Sequence, residues 1–380
     1  MKVDRKDTNW LITVCLICFN IIPFSLAACT SSDDSSNDAS MFMAINNASM
    51  LKEEIKVTFE GVNGDALVSV NFGDGTVVEQ NASTAIFHTY TKSGNYTVTA
   101  TVNGNTLKKD IQVYDLLALS EALKQFQKPE NKKIWVMAHR SHVTDKTIPA
   151  NSISAVNAAI VAGVDVIECD THMTSDGVLI VCHDKTIDAT TNGSGQISTM
   201  TYAEIQKYNM KDRTGKLTQE KLPTLEDFLA IGRGKVYYDL DYSSTPIRKL
   251  YDVVQKLGMI ESVFFYGNSL EDVLKMNEKA HVYTWADVYK QYMSKLNFGP
   301  YFTQFHYNPT GVSAPLGTAI EDGMLVSANM LNTTYPEAIP EFELKQEQLD
   351  GLLQTFPMVR MIQTDVADLM IPVLKNKGLH

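Results

Sequence analysis

"VIECDTHMTSDGVLIVCHD", Val166–Asp184, reads as two short strands, yet Glu168, Asp170, His172, His183 and Asp184 lie in or beside its apolar runs. Residues two apart in a strand share a face, so Glu168, Asp170 and His172 point together while Ile167 and Cys169 point the other way. An ionised carboxylate taken out of water is costly unless it is paired or metal-bound. Two acids on one face of an apolar strand therefore suggest a cation site at a strand end. His183, on the face of Leu179 and Val181, is a candidate for proton transfer near neutral pH.

Working outward, the stretch belongs to a longer alternation. From Ile134 to His380, "IWVMAHR", "DVIECDTHM", "VLIVCHD", "KVYYDLDY", "SVFFYG", "HVYTWA", "MLVSAN" and "RMIQTD" are eight candidate strands. Helical runs such as "SISAVNAAIVAG", "TLEDFLAIG" and "SLEDVLKMNEKA" separate several of them. That order predicts parallel strands, and the length of 134–380 suits a (β/α)8 TIM-type barrel of about 250 residues. "FTQFHYNPTGVSAPLG", Phe302–Gly317, fits no repeat and reads as an inserted loop or a misassigned strand. In "KVYYDLDY", Asp239 and Asp241 share a face with Tyr237. Three carboxylates from two strands suit a hard cation such as Ca2+ or Mg2+. His139 ends the first predicted strand and His183 the third. His172 is expected to orient a neighbour, and His88, His281 and His306 stand without supporting company. Cys169 and Cys182 read as packed thiols, with a strained disulfide between neighbouring strands as the alternative.

At 380 residues, the chain is long enough for two or three domains. Its 44% hydrophobic content is ample for a core. The net charge of −11 argues against a nucleic-acid partner, but not against a phosphate ligand beside a metal ion. Lys2, Arg5 and Lys6 precede an apolar run from Trp10 to Phe24 that is too short for a membrane span. It ends in "LAAC", Leu26–Cys29, which resembles a bacterial lipoprotein cleavage box. The resemblance implies a signal peptide over 1–28 and lipidation of Cys29; the alternative is an ordinary secretory signal. Residues 29–49, with "TSSDDSSNDAS", read as a polar tether.

Residues 50–114 alternate in period two between glycine turns, which predicts a small β-sandwich. "NFGDGT", Asn71–Thr76, followed by "HTYTKSGNYTVTATV", His88–Val102, resembles the PKD domain, an immunoglobulin-like module. The resemblance implies spacing, or weak carbohydrate or protein contact. Asp74 reads as a turn-capping acid. Residues 115–133 read as a helical linker into the barrel.

Ala138–Gly195, "AHRSHVTDKTIPANSISAVNAAIVAGVDVIECDTHMTSDGVLIVCHDKTIDATTNGSG", resembles the glycerophosphodiester phosphodiesterases. That family shows His-Arg-Gly, Pro-Glu-Asn-Thr, Glu-x-Asp, Thr-x-Asp-Gly and His-Asp in this order. "LPTLEDFL", Leu222–Leu229, and "IQTD", Ile362–Asp365, match later landmarks. The resemblance implies metal-dependent hydrolysis of a small phosphodiester, with glycerol phosphate and an alcohol as products. It makes His139 and His183 the acid–base pair and Arg140 a phosphate ligand. Glu168, Asp170 and Asp239 become holders of the metal, Ca2+ or Mg2+. Ser141 and Ala150 depart from the family pattern, as does Ala189. Asp241 stands where the family carries lysine, within reach of substrate. The chain is expected in the bacterial cell envelope, lipid-anchored at the outer membrane, periplasmic or surface-exposed. Two alternatives stand beside this reading. One is a phosphodiesterase or phospholipase acting on another head group or a surface glycan. The other is a scaffold lipoprotein with weakened catalysis.

Overall fold

Short runs rich in valine and threonine, cut by glycine turns, build the first domain. The computed structural model describes residues 41–241, 245–266, 270–277, 280–285, 302–306, 314–331 and 341–380. The leader, Cys29 and the first part of the expected tether lie outside the described residues. Eight strands precede the barrel: β1 (Phe42–Ala44), β2 (Ala48–Leu51), β3 (Glu54–Glu60), β4 (Leu67–Asn71), β5 (Val77–Asn81), β6 (Ile86–Thr89), β7 (Gly94–Val102) and β8 (Asn105–Leu117). They form two sheets, ordered β1-β3-β6 and β2-β8-β7-β4-β5. Alternate residues such as Val57, Val68, Val70, Val98 and Ala100 are fully buried between them, as period two requires. Pairing of β1 with β3 and of β2 with β8 begins at Phe42, so the expected tether over 29–49 gives its last residues to the sandwich.

The "NFGDGT" turn is held by its own acids and amides. Asn71 Oδ1 accepts from Gly73 N (2.8 Å), and Asp74 Oδ1 accepts from Thr76 N (2.9 Å). Asp74 Oδ2 meets His88 Nε2 at 2.8 Å, and the His88 ring stacks on Phe72 at 4.1 Å. Partial burial pushes the Asp74 carboxyl up, but the bonds from Thr76 and His88 outweigh it and hold it below its ordinary value. Asp74 is thus a turn cap. His88 does have company, because the strand order brings it against the turn.

The second domain is a closed barrel. Its parallel strands are β9 (Trp135–Ala138), β10 (Val166–Met173), β12 (Tyr237–Asp241), β13 (Val263–Tyr266), β14 (His281–Trp285), β15 (Phe302–His306), β16 (Leu325–Met330) and β17 (Val359–Thr364). β9 pairs with both β10 and β17, which closes the ring. Seven of the eight expected strands are barrel strands. "VLIVCHD" is not: β11 (Leu179–Val181) folds back antiparallel on the end of β10. The eighth place is taken by Phe302–His306, the run that fits no repeat in sequence. The hydrophobicity of a three-residue hairpin arm resembles that of a barrel strand, and only pairing direction separates them. Outward residues Ile167, Cys169, Tyr238, Leu240 and Phe265 pack against the helix layer. Cys182 lies in a separate small core with Ile187, Ile197 and Met210. Both thiols are free, so the disulfide alternative is set aside. No helix among the described residues is long and apolar enough to cross a membrane.

Helix α1 (Leu119–Phe126) closes the end of the barrel where the strands begin. Its Leu119, Ala122, Leu123 and Phe126 bury against Met137, Val166, Tyr237 and Phe264. The linker over 115–133 is therefore partly strand, since β8 runs to Leu117, and only its middle is helical. The sandwich is seated on the same end. Tyr237 Oη donates to Leu117 O (2.7 Å), Arg233 Nε donates to Tyr114 Oη (2.9 Å), and Ala118 N donates to Leu51 O (2.8 Å). Glu261 accepts from Ser120 N (2.9 Å) and pairs with the buried His281 Nε2 (3.1 Å). His281, like His88, gains its company only in the fold. Burial works against the Glu261 charge, but His281 and Ser120 outweigh it and pull its carboxyl down to about 2.

"GRGK", Gly232–Lys235, is the turn expected before a strand, and it is also part of this seat. Gly234 has φ +72, and a Cβ there would lie 2.1 Å from the Tyr114 ring. Gly234→Ala should remove about 2–4 kcal/mol, combining overpacking with left-handed strain. Gly215→Ala, at φ +86 with nothing within 4 Å, should lose only the strain, about 1–2 kcal/mol. Urea denaturation of both variants tests the seat; equal losses would mean that the sandwich is not held there.

Candidate active site

Acidic residues gather where the strands end, the face on which barrel active sites are built. Parallel pairing of β10 with β12 sets Glu168 opposite Asp239 and Asp170 opposite Asp241. Glu168, Asp170 and Asp239 are buried, while Asp241 is half-buried at the rim, in register with Tyr266. Two further groups from the loop after β9 join them. Arg140 N donates to Glu168 Oε2 (2.8 Å), and Asn151 Nδ2 donates to Asp170 Oδ2 (3.2 Å). Arg140 Nε stands 3.9 Å from Asp170 Oδ2.

That loop is bent by three residues in the left-handed region: Arg140 (φ 51), Ser141 (φ 60) and Asn151 (φ 56). Such conformations cost roughly 1–2 kcal/mol each in L-residues and gather at functional sites. Ser141 shows why glycine suits this place: the backbone has a shape that glycine adopts without strain. The bend aims the Arg140 amide at Glu168. Asn151 N bonds back to Arg140 O (3.0 Å), and Ser152 then caps helix α2 (Ile153–Ala162) by accepting from Ala155 N.

The two histidines have unlike settings. His139 is mostly buried, and its Nδ1 bonds Asp365 Oδ1 at 2.7 Å. His142 Nδ1 meets the same oxygen at 3.0 Å. His183 is exposed in the loop after β11, not at a barrel-strand end, and its Nδ1 bonds the adjacent Asp184 Oδ1 at 2.7 Å. In both dyads the carboxylate takes Nδ1 and leaves Nε2 to face a ligand. His172 Nε2 contacts His183 O at 3.1 Å, so it acts on the backbone that carries His183.

Sequence reading singled out neither Asp365 nor His142 as functional. Asp365 closes the quoted "IQTD", but 226 positions separate it from His139. Pairing of β17 with β9 brings them together, through Gln363 opposite Met137 and Thr364 opposite Ala138. Among the described residues, one set of three groups places a donor atom of each within 4.8 Å of the others. It is His139, His142 and Asp365, not the three acids.

Residues 139–307 match the model of the glycerophosphoryl diester phosphodiesterase family, and residues 44–109 match the PKD domain. The two matches fall on separate parts of the chain, the barrel and the β-sandwich. A glycerophosphodiester phosphodiesterase of Caldanaerobacter subterraneus subsp. tengcongensis is 36% identical over 155 residues, 38% of this chain and 63% of that protein. Human glycerophosphodiester phosphodiesterase 1 is 34% identical over 109 residues, 28% of this chain and 32% of that one. This chain thus spans less than two thirds of either relative. In fold it resembles a glycerophosphoryl diester phosphodiesterase of Parabacteroides distasonis (TM-score 0.59, 19% identity, 68% of this chain and 92% of that one). It also resembles an Oleispira antarctica phosphodiesterase in complex with the product sn-glycerol-3-phosphate (TM-score 0.50, 16% identity, 63% and 96%).

The acids are electrostatically unbalanced. Burial, then repulsion from Asp170 and Asp239, pushes the Glu168 carboxyl well above its ordinary range, against the pull of the Arg140 amide. Burial, then Asp241 and Asp170, does the same to Asp239. Asp239 Oδ1 and Asn151 Oδ1 are buried without a hydrogen-bond partner. Excess negative charge and orphaned oxygen acceptors fit a hard divalent cation. Without one, these raised carboxyls make stability fall as pH climbs. The unfolded chain releases its protons from about pH 4 upward, whereas the folded chain retains them until the raised values are passed. Asp239→Asn should therefore raise the melting temperature of chelator-treated protein above pH 6 by a few degrees and flatten its decline with pH, about 2–4 °C per kcal/mol for a domain of the barrel's size. Thermal melts across pH 5–8 read this; an unchanged or steeper decline would mean that the acids are already compensated.

Proposed function

We propose, from the match of residues 139–307 to the glycerophosphoryl diester phosphodiesterase model, that this chain hydrolyses glycerophosphodiesters to glycerol phosphate and an alcohol, in a metal-dependent reaction. The observation that carries this reading is the meeting, at one end of one barrel, of buried acids, Arg140 and a carboxylate-bound histidine. The product bound to the Oleispira antarctica phosphodiesterase supports the same substrate class.

Glu168, Asp170 and Asp239 would hold the divalent cation, Ca2+ or Mg2+, which when bound neutralises charge on the phosphoryl group and orients it. Arg140 binds a phosphate oxygen with its planar guanidinium. Its strained backbone fixes where that side chain leaves the loop. His139 and His183 exchange protons at Nε2: one takes the proton of the attacking hydroxyl, and the other gives a proton to the departing alcohol oxygen. Asp365 and Asp184 are positioning residues, each holding its ring by Nδ1 and stabilising the imidazolium when it forms. In this reading a hydroxyl of the glycerol is the first nucleophile, the alcohol leaves, and water opens the resulting cyclic phosphate.

Cys29 would carry the lipid anchor. The "LAAC" box and the polar stretch after it support placement in the cell envelope, lipid-anchored at the outer membrane. The PKD domain sits on the end of the barrel away from the acids, which supports a spacing role rather than substrate contact.

Asp241 favours a second reading of the head group. An acid at the rim, in register with Tyr266, disfavours a second anion and suits a cationic alcohol. Glycerophosphocholine and glycerophosphoethanolamine should then be cleaved with higher kcat/KM than glycerophosphoinositol, and Asp241→Asn should narrow the difference.

Full-length protein should cleave glycerophosphodiesters only with added divalent metal. His139→Ala and His183→Ala should each lower kcat by at least about 100-fold. Full activity in both variants would overturn the reading. Cys29→Ser should release the chain from membranes to the soluble fraction; retention would overturn the anchor.

A further inference from the structure

The His139–His142–Asp365 cluster has a donor set different from that of the acids across the site. We propose that it is a second metal site, one that takes a borderline cation such as Zn2+ and, when filled, withdraws His139 from catalysis. The inference rests on the proposed role of His139, but its metal-binding half stands on the cluster alone.

Two imidazoles and a carboxylate are a ligand set that zinc favours, whereas Ca2+ and Mg2+ prefer oxygen. The three donor atoms already converge. Asp365 Oδ1 lies 2.7 Å from His139 Nδ1 and 3.0 Å from His142 Nδ1. Around a tetrahedral zinc with bonds of roughly 2.0–2.1 Å, neighbouring donors stand about 3.3 Å apart. For these two pairs the change from hydrogen bonds to coordination requires only small outward shifts, and a donor atom of each of the three residues lies within 4.8 Å of the others. It needs no net loss of protons from neutral rings, since the Nδ1 proton moves to Nε2.

Burial lowers the His142 pKa, although the bond to Asp365 opposes this. Its Nε2 is buried with no hydrogen-bond partner. Arg213, whose guanidinium bonds Val143 O, works against a cation here and limits affinity. The effect on His139 follows from ring chemistry. An imidazole coordinated at Nδ1 carries its proton at Nε2, and that nitrogen then has no lone pair to accept one. The free ring can act as a base at Nε2, and the metal-bound ring cannot.

The test is calorimetric titration of Zn2+ into the full chain held in excess Mg2+, which keeps the acid site filled. The wild-type protein should bind one further equivalent of zinc, and His142→Ala should weaken that event by at least about 100-fold. His142→Gln, which keeps more of the buried volume, is the second variant and should behave alike; circular dichroism establishes that each is folded. Co2+ as a probe should give visible ligand-field bands in the wild type and lose them in both variants. If hydrolysis is observed, zinc should suppress it in the wild type and leave the remaining activity of His142→Ala unaffected. Equal zinc binding by wild type and folded variants, or no further equivalent in the wild type, overturns the site. Zinc bound at the cluster with no activity under any condition would instead overturn the proposed hydrolysis and leave the metal site standing.

Discussion

Negative charge on two neighbouring strands is the constraint around which this domain is arranged. Glu168 faces Asp239 and Asp170 faces Asp241 across a parallel ladder, so register alone forces four carboxyls into one corner of the barrel. Burial and the neighbouring acids raise the carboxyls of Glu168 and Asp239 well above their ordinary values. The chain supplies partial compensation by bending its own backbone. The left-handed Arg140 and Asn151 aim an amide hydrogen at Glu168 and a side-chain amide at Asp170. The Oδ1 of Asp239 remains without a hydrogen-bond partner.

Holding that corner in place requires a firm base. The opposite end of the barrel is filled by Val166, Tyr237, Phe264, Tyr283 and Met361 and closed by α1. The sandwich is joined to it by hydrogen bonds from Tyr237, Arg233 and Ala118 and by the close approach of Gly234 to Tyr114. The β-sandwich is thus a seated part of the molecule, not a bead on a string. In this base Glu261 is paired with His281, whereas charge at the strand ends is left in excess. A buried carboxyl with a cationic or hydrogen-bonding partner is structural; one facing other carboxyls is available for chemistry.

Asymmetry between the histidines has a comparable origin. His139 follows the first barrel strand and finds its carboxylate on the last, so closure of the ring orients it. His183 sits in a hairpin loop and takes its carboxylate from the next residue. One dyad is made by the tertiary fold and shielded; the other is local and open to solvent. The first also includes His142, whose Nδ1 meets the same Asp365 oxygen.

Much was legible from the chain alone. Alternation in Val166–Met173 and Tyr237–Asp241 put Glu168, Asp170, Asp239 and Asp241 on inner faces, because side-chain direction in a strand follows from covalent geometry and needs no partner. Seven barrel strands, the sandwich and the "NFGDGT" turn were readable for the same reason. The pairing of strands was not. Leu179–Val181 passes for a barrel strand until its antiparallel partner is known, and Phe302–His306 fits no pattern until its two neighbours flank it. Asp365, His142, and the partners of His88 and His281 were likewise hidden, since each depends on contacts between distant segments. The sequence by itself determined which residue types carry charge and which way they point from their own strands. The tertiary structure alone decided which of them meet, because ring closure and domain seating join segments that no local periodicity relates.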